Sequence, residues 1–394
     1  MNVSMLKPGK CDSCGISSFY HIQTWLDECM SMILPSTPLP HTLLSFADTL
    51  FEKAFLSLGI LKEEEEIDLS SIQKRSALFI TEARNRGVRV VGLRGRYGYT
   101  NQFRVEFEDI VVRFEGFPLA EHISSRLFDP DCKQETREFL QDGGFLVVEG
   151  LSFSLLQRDG AMRYGEKLGY PLVVKPRRGS VAQHVTTDIR SRDSFVGAIR
   201  HVLEYSPRFI VERYVENSFV YRATVIDYDF VACVKQVPAH VVGDSSSSIR
   251  DLVVEKNRTR DDGGDFFHSL VVDETTKRLL GELGYTLSSV PENGERVYLQ
   301  RDPFMRLGGD LEEVTGEMHG DNRRLFQDVA EYTGMRVVGI DICIPDISIS
   351  WKKQECAILE LNSLPSIEMH HTPSSGESQD VAGALVDLLF KYYS

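Results

Sequence analysis

The chain has 394 residues, of which 42% are hydrophobic, so it is long enough to bury a large core over two or three domains. Its formal net charge of −14 argues against a nucleic-acid-binding protein, because such proteins usually carry an excess of Lys and Arg. No stretch approaches the roughly 18 apolar residues of a membrane-spanning helix. The N-terminus lacks the apolar core of a signal peptide. We therefore expect a cytoplasmic protein that binds neither nucleic acid nor membranes.

The N-terminal third of the chain predicts a helical region followed by a small α/β domain. Residues 1–70 include one amphipathic helical pattern over residues 43–54. Residues 71–129 contain a helical segment that ends at Gly87, a favourable helix C-cap, and apolar strands that begin at Val88 and Asp109. Near the N-terminus, four side chains could ligate zinc, although their spacing fits no common zinc finger: Cys11, Cys14, His21 and Cys29.

Residues 130–394 predict a larger domain in which strands and helices alternate. Helices are predicted over residues 131–142, 161–169, 276–284, 322–333 and 380–393. Strands are predicted over residues 144–150, 172–175, 209–212 and 297–299, and a hairpin over residues 220–237. Residues 243–248 form a polar loop. Cys233, Cys343 and Cys356 lie in apolar runs and are expected to be reduced core residues.

Two apolar runs near the C-terminus end in carboxylates. Asp341 ends V-V-G-I-D, and Glu360 follows Ala357, Ile358 and Leu359 with Asn362 two residues on. Residues two apart in a strand share a face, so Glu360 and Asn362 should project together. Two carboxylates and an amide oxygen suit Mg²⁺ held between protein and nucleotide phosphates. Either run alone is also explained as a core strand with a capped end, but the ordered pair favours the metal site.

Two further charged residues end apolar strands earlier in the chain. Lys175 follows L-V-V, and Glu212 follows F-I-V. Lysines bind nucleotide phosphates as point charges. A strand that runs from Glu212 into a linker can present backbone groups to an adenine edge. Each such lysine could instead be a solvated surface residue. That alternative fits Lys175 less well, because Lys175 ends an apolar strand.

Six segments, in order, resemble the ATP-grasp ligases, specifically the branch of the cyanophycin synthetases and the bifunctional glutathione synthases. The similarity runs from about Ser76 to the C-terminus. The matching segments are Y-P-L-V-V-K-P at Tyr170, F-I-V-E-R-Y-V at Phe209, V-P-A-H-V-V-G-D at Val237, V-V-G-I-D-I at Val337, I-L-E-L-N-S-L-P at Ile358 and M-H-H-T-P-S-S-G at Met369. The resemblance implies an α/β (α+β) ATP-grasp fold. Its two subdomains, about residues 130–215 and 216–394, would sandwich ATP behind the small N-terminal domain.

The resemblance also implies a role for each matching residue. Lys133 and Lys175 would contact ATP phosphates, and Glu212 would bind the adenine amino group beside the backbone of Arg213 and Val215. The magnesium ions, or Mn²⁺, would lie on Asp341, Glu360 and Asn362. Arg222 and Arg301 would hold the acceptor carboxylate and its phosphorylated form. The remaining predicted residues belong to a mobile lid and the substrate pocket: Gly243, Asp244, Ser363, Pro365 and His370.

The reaction implied is ADP-forming ligation of a carboxylate to an amine. The carboxylate attacks the γ-phosphate of ATP, and an amine then displaces phosphate from the acylphosphate to form an amide. The charged set suits this chemistry, which requires positioning and charge stabilisation. The expected substrates are amino acids or small peptides, as in a dipeptide or γ-glutamyl-type ligase, and the expected assembly is a homo-dimer or homo-tetramer.

Two departures from the family pattern keep alternatives open. The segment after Lys175 keeps only Gly179 of a glycine-rich loop, and bulkier residues restrict close approach of the backbone. Gln300 occupies a family arginine position, with Arg301 displaced by one residue. A catalytically weakened nucleotide-binding protein is therefore one alternative, and an ATP-dependent phosphotransferase acting on a carboxylate is another.

Overall fold

The computed structural model describes residues 22, 24–26, 28–29, 52–107, 110–118, 128–179, 183–261 and 267–393. Cys11, Cys14 and His21 lie outside these residues, so the predicted zinc site stays a prediction; Cys29 lies in a helical stretch. Among the described helices, none has both the length and the apolar character needed to cross a bilayer.

The first unit is an antiparallel four-stranded sheet covered by two helices. Its strands lie in the order β1-β2-β3-β4. Apolar side chains of both helices, such as Phe79 and Leu385, pack with Phe103 and Val105 in one core. The elements are β1 (Lys62–Glu64), α1 (Lys74–Asn85), β2 (Arg89–Gly95), β3 (Gly98–Phe107), β4 (Ile110–Glu115) and the C-terminal helix Val381–Tyr393. The C-terminal helix thus ties the end of the chain to this unit, and β1 joins the sheet although it precedes the predicted boundary at residue 70.

The second unit carries Lys175 and Glu212 on neighbouring strands. Its antiparallel sheet has the order β5-β8-β6-β7, and α3 and α4 pack on it through residues such as Phe195 and Phe209. The elements are α2 (Lys133–Asp142), which precedes the sheet, β5 (Gly150–Ser154), α3 (Arg158–Leu168), β6 (Leu172–Pro176), β7 (Thr186–Ile189), α4 (Arg192–Tyr205) and β8 (Arg208–Arg213).

The third unit carries the carboxylates on a five-stranded antiparallel sheet of order β13-β10-β9-β14-β15. Phe326 and Val329 of α7 pack against its back face with Val338 and Ile340. A smaller lobe, built on the pair β11-β12 with α5 and α6, is inserted between β10 and β13. The elements are β9 (Phe219–Ile226), β10 (Phe230–Val237), β11 (His240–Val242), α5 (Ile249–Asp261), α6 (Glu274–Glu282), β12 (Arg296–Tyr298), β13 (Asp310–Glu313), α7 (Gly320–Thr333), β14 (Val337–Ile344), β15 (Ala357–Asn362) and α8 (Glu368–His371).

Most predicted elements are present, but the strand predicted over residues 144–150 is wrong. The strand β5 begins only at Gly150, and Val147 instead forms an isolated parallel bridge with Ile358 of the third unit. Residues 145–149 therefore cross between the two sheets, and their apolar side chains are explained by that crossing. No strand was predicted at β1, β3, β7, β11 or β13, and no helix at α4, α5 or α8. The strands β7 and β13 have only four residues each, too few to show a clear period.

Candidate active site

The strand pairing brings the three predicted metal ligands together. Asp341 of β14 lies opposite Glu360 of β15, and Asn362 is two residues further along the same face. The Asn362 Nδ2 atom is buried and has no hydrogen-bond partner among the described residues. An amide side chain beside two carboxylates offers the oxygen donor types that a hard divalent cation prefers.

Arg222 extends this row on the neighbouring strand β9. It lies opposite Asp341, and its Nη2 donates to Asp341 Oδ2 at 2.6 Å while Nε donates to Oδ1. Burial raises the pKa of Asp341, an effect that Arg222 opposes and the nearby Glu360 carboxylate reinforces. The guanidinium therefore provides the positive charge that holds this carboxyl pair together in the structure.

Two lysines face the carboxylates from the other side of the cleft. Lys133, at the start of α2, lies 3.2 Å from Glu360 Oε2 and donates to the Gly179 carbonyl oxygen at 2.6 Å. Burial alone would raise the pKa of Glu360, but Lys133, Lys175 and Arg222 together lower it to about 2. Glu360 is consequently an anion at neutral pH, and the Lys175 ammonium acts on it across the cleft. Lys133, Arg222 and the two carboxylates therefore lie together in the structure.

Lys175 is itself part of a buried ionic triad. Its Nζ lies 2.6 Å from Glu212 Oε1, and Arg137 Nη2 donates to Glu212 Oε2 at 2.5 Å. Lys175 and Glu212 are 6% and 3% exposed. Both Glu212 oxygens thus accept from cations, so in this structure the carboxylate positions Lys175 and Arg137. Sequence reasoning missed Arg137, which lies 75 positions from its partner.

The hinge that follows β8 is held by backbone hydrogen bonds. Arg213 N–H donates to the Glu149 carbonyl at 2.9 Å, and Ser218 Oγ donates to the Val215 carbonyl at 3.0 Å.

Cys343 lies two residues beyond Asp341 on the same strand face. Burial raises the pKa of its thiol to about 12, and Glu212, Lys175 and Asp341 all act on it electrostatically. The predicted core cysteine is therefore buried at the floor of the cleft.

Gly339 allows three residues beside the carboxylates to lie close together. A Cβ on Gly339 would lie 3.0 Å from Pro365 Cβ, 3.3 Å from Arg222 Cδ and 3.4 Å from Asn362 Cβ. Gly339 shares the strand face of Asp341. A side chain here would crowd all three residues, and the glycine in V-V-G-I-D-I was the available sequence signal.

His370 lies beneath this row and is fully buried. Its Nδ1 is 3.0 Å from Glu313 Oε2 and its Nε2 is 2.9 Å from Thr224 Oγ1. Burial lowers its pKa, against the effect of Glu313. In this structure the ring connects β13 to β9 behind the site.

Ser363 lies at the cleft edge, where its hydroxyl donates to Asp131 Oδ1 at 3.2 Å.

The remaining predicted residues belong to the inserted lobe and contact it. Asp244 Oδ1 accepts from the Ser246 and Ser247 amides at 2.8 and 2.7 Å, and Gly243 packs tightly on the carbonyl of Glu292. Arg301 forms an exposed ion pair with Glu282 of α6. The structure therefore does not bring Asp244 or Arg301 to the carboxylate row. By contrast, Asp302 receives a 2.5 Å hydrogen bond from Thr187 Oγ1 of the second unit.

Sequence comparison identifies relatives that are longer than this chain. A cyanophycin synthetase from Trichormus variabilis is 36% identical over 262 residues, which are 66% of this chain and 29% of that protein. A cyanophycin synthetase from Crocosphaera subtropica is 30% identical over 343 residues, which are 83% of this chain and 38% of that protein. The chain thus spans less than two fifths of either relative. A scan against models of protein families finds no match.

Structure comparison shows the fold. The crystal structure of a bifunctional glutathione synthetase from Pasteurella multocida superposes with a TM-score of 0.59 at 23% identity, covering 82% of this chain and 45% of that one. The predicted ATP-grasp fold is therefore confirmed, as is the resemblance to the ATP-grasp ligases of these two groups.

Proposed function

We propose that the protein is an ADP-forming carboxylate–amine ligase that joins amino acids or small peptides. The observation that supports this proposal is the cleft in which Lys133 and Lys175 face the row of Asp341 and Glu360. Ammonium groups opposite a carboxylate cluster can bind a polyphosphate and its counter-cation together. The resemblance to ligases in both sequence and fold supports the same chemistry.

Each residue has a role in this proposal. Lys133 and Lys175 bind the phosphates, and Asp341, Glu360 and Asn362 hold Mg²⁺ or Mn²⁺. The ion, when bound, supplies Lewis-acid stabilisation of charge on the transferring phosphoryl group. Arg222, whose guanidinium pairs with Asp341, orients the acceptor carboxylate. Glu212, with the backbone of Arg213 and Val215, is assigned to the adenine.

The inserted lobe completes the site when it closes. Gly243 and Asp244 cover the substrate, and Arg301 exchanges Glu282 for the acylphosphate. The pocket is shaped by Ser363, Pro365 and the ring of His370. This role is best supported for Pro365, because it lies beside Arg222 and Asn362 around Gly339. Water exclusion by this closure protects the acylphosphate until an amine attacks it.

The test is a phosphate-release assay with ATP, Mg²⁺ and a panel of amino acids and dipeptides, followed by mass spectrometry of the products. A ligase releases phosphate and yields an amide with at least one substrate pair. A phosphotransferase consumes ATP without forming an amide. Nucleotide binding with no ADP formation across the panel would favour the weakened protein, an alternative that the surface pairing of Arg301 with Glu282 supports. Complete failure to bind ATP would reject all three.

Cellular location and assembly are part of the proposal. We place the enzyme in the cytoplasm, where ATP is abundant and the thiols of buried residues such as Cys233 and Cys343 stay reduced. A homo-dimer or homo-tetramer remains the expected assembly, and light scattering of the purified protein at several concentrations measures it.

A further inference from the structure

A cluster of metal-ligand side chains lies outside the cleft, on the second unit. One potential ligand atom from each of His184, His201 and Glu204 lies within 4.8 Å of the other two. His201 and Glu204 are one turn apart on α4, and their Nδ1 and Oε2 atoms are 3.8 Å apart. His184 comes from the end of the segment that follows Lys175. We infer that these three residues form a binding site for a zinc-like divalent transition-metal ion.

The tautomer of His184 suits this role. Its Nδ1 lies 3.3 Å from the carbonyl oxygen of His201. A carbonyl oxygen only accepts, so Nδ1 carries the proton and the lone pair of the neutral ring is on Nε2. Metal-binding histidines commonly donate their second N–H to a backbone carbonyl, which fixes the ring orientation. The backbone of His184 is also in the left-handed region, with φ of 50°. The fold therefore sets the direction in which the side chain leaves the backbone.

The donor types select the class of ion. Two imidazoles and one carboxylate match zinc with a water in the fourth position, whereas Mg²⁺ prefers oxygen ligands. Ligand atoms about 2.1 Å from a tetrahedral ion lie about 3.4 Å apart, so the three groups must move closer. The His201 and Glu204 side chains are 36% and 60% exposed and can rotate towards His184, which is 2% exposed.

The site connects helix α4 to the segment that follows Lys175. Tyr205, the last residue of α4, stacks on His184 with ring centroids 5.0 Å apart. A Cβ on Gly179 would lie 3.3 Å from the Tyr205 hydroxyl, and the Gly179 carbonyl accepts from Lys133. A bound ion would therefore fix the far end of this segment against α4. Because Gly179 contacts Lys133, the ion would also affect the phosphate-binding side of the cleft. That effect on nucleotide binding rests on the proposed function, whereas the metal site itself does not.

The test is a Co²⁺ titration of chelator-treated full-length protein, followed by absorption spectroscopy, with Zn²⁺ competition. Excess Mg²⁺ is present to occupy the carboxylate row. The variants are His201→Gln and Glu204→Gln, whose partial exposure favours normal folding. The control is His319→Gln, because His319 lies 4.0 Å from the Asp321 carboxylate and, among the described residues, belongs to no cluster of three metal-ligand side chains. All four proteins keep the N-terminal cysteines, so any ion bound there cancels in the comparison.

Wild type and His319→Gln are expected to bind one more equivalent of Co²⁺ than the other two variants, or to bind it at least about tenfold more tightly. Zn²⁺ should also slow amide hydrogen exchange over residues 183–190 in wild type but not in His201→Gln. Equal stoichiometry and affinity in all four proteins overturns the inference, and so does a wild type that binds no Co²⁺. ATP is absent throughout, so the outcome is independent of the proposed ligase activity.

Discussion

The two sheets that face the cleft distribute their buried charges in opposite ways. On the second unit, Lys175 and Arg137 both contact Glu212, so two cations surround one carboxylate. On the third unit, Asp341 and Glu360 lie beside Arg222, so two carboxylates accompany one cation. The second unit therefore has a surplus of positive charge at the cleft, and the third unit has a surplus of negative charge. A polyanion and a cation bound together would satisfy both surpluses.

The largest effect is expected when the negative side loses a charge. Glu360→Gln keeps the side-chain size but removes an anionic ligand, so the rate of ATP-dependent phosphate release should fall about 10²–10³-fold. A coupled phosphate assay measures the rate. Glu355→Gln changes an exposed glutamate shortly before β15 and should leave it unchanged. Equal rates in both variants would remove the metal role from Glu360.

On the positive side, Lys175→Met should weaken both ATP binding and the fold. It removes a charged hydrogen bond to Glu212 in a buried site, which should lower the free energy of unfolding by about 2 kcal/mol. Urea denaturation measures stability and calorimetry measures ATP affinity, with the exposed Lys167→Met as control. If Lys175→Met binds ATP as wild type does, the charge surplus of the second unit has no part in phosphate binding.

A smaller effect on stability should come from filling the space around Gly339, between Pro365, Arg222 and Asn362. Gly339→Ala places a methyl group 3.0 Å from Pro365 Cβ, and such overpacking should cost about 1–3 kcal/mol of unfolding free energy. Gly281→Ala is the matched control because a Cβ there meets nothing within 4 Å in a helix. That control should be neutral or stabilising by up to about 1 kcal/mol. Thermal unfolding compares them, and a destabilised Gly281→Ala with an unchanged Gly339→Ala would contradict the packing argument.

The smallest effect is the acid dependence of the negative side. The Glu360 pKa is lowered from 4.5 to about 2, so its contribution to stability is fully present above pH 4.5 and is lost as pH falls towards 2. The stability difference between wild type and Glu360→Gln should be constant above about pH 5 and shrink below it. The raised pKa of Asp341 acts with the opposite sign, which is why the variant comparison is needed. Urea unfolding at a series of pH values checks this; a difference that grows in acid would contradict it.

The part of the site predicted from the sequence is the part that local periodicity encodes. Asp341 and Glu360 each follow an apolar run, and Asn362 lies two residues after Glu360, so the two strands and the shared face of Glu360 and Asn362 follow from the sequence. Lys175 and Glu212 are similar cases, since both end fully apolar runs. The hairpin β9–β10 was predicted because Asp227 and Asp229 flank its turn.

The part that was missed depends on contacts between distant segments. Arg137 and Glu212 lie 75 positions apart and meet only when α2 and β8 come together, and nothing around Arg137 in the sequence marks it. The hydrogen bonds of His370 likewise join helix α8 to Glu313 of β13 and Thr224 of β9, which are distant in the sequence. Arg301 was assigned from its neighbourhood in the sequence, but a one-residue offset in an irregular segment decides which direction a side chain takes.

One ammonium group spans the boundary between the two halves of the cleft. Lys133 contacts Glu360 on one half and the Gly179 carbonyl on the other. Any hinge motion that separates the halves must break one of these contacts, and the energy of an ionic contact depends on solvent screening. The rate at which the halves part, and with it the turnover of an enzyme limited by product escape, should therefore respond to ionic strength.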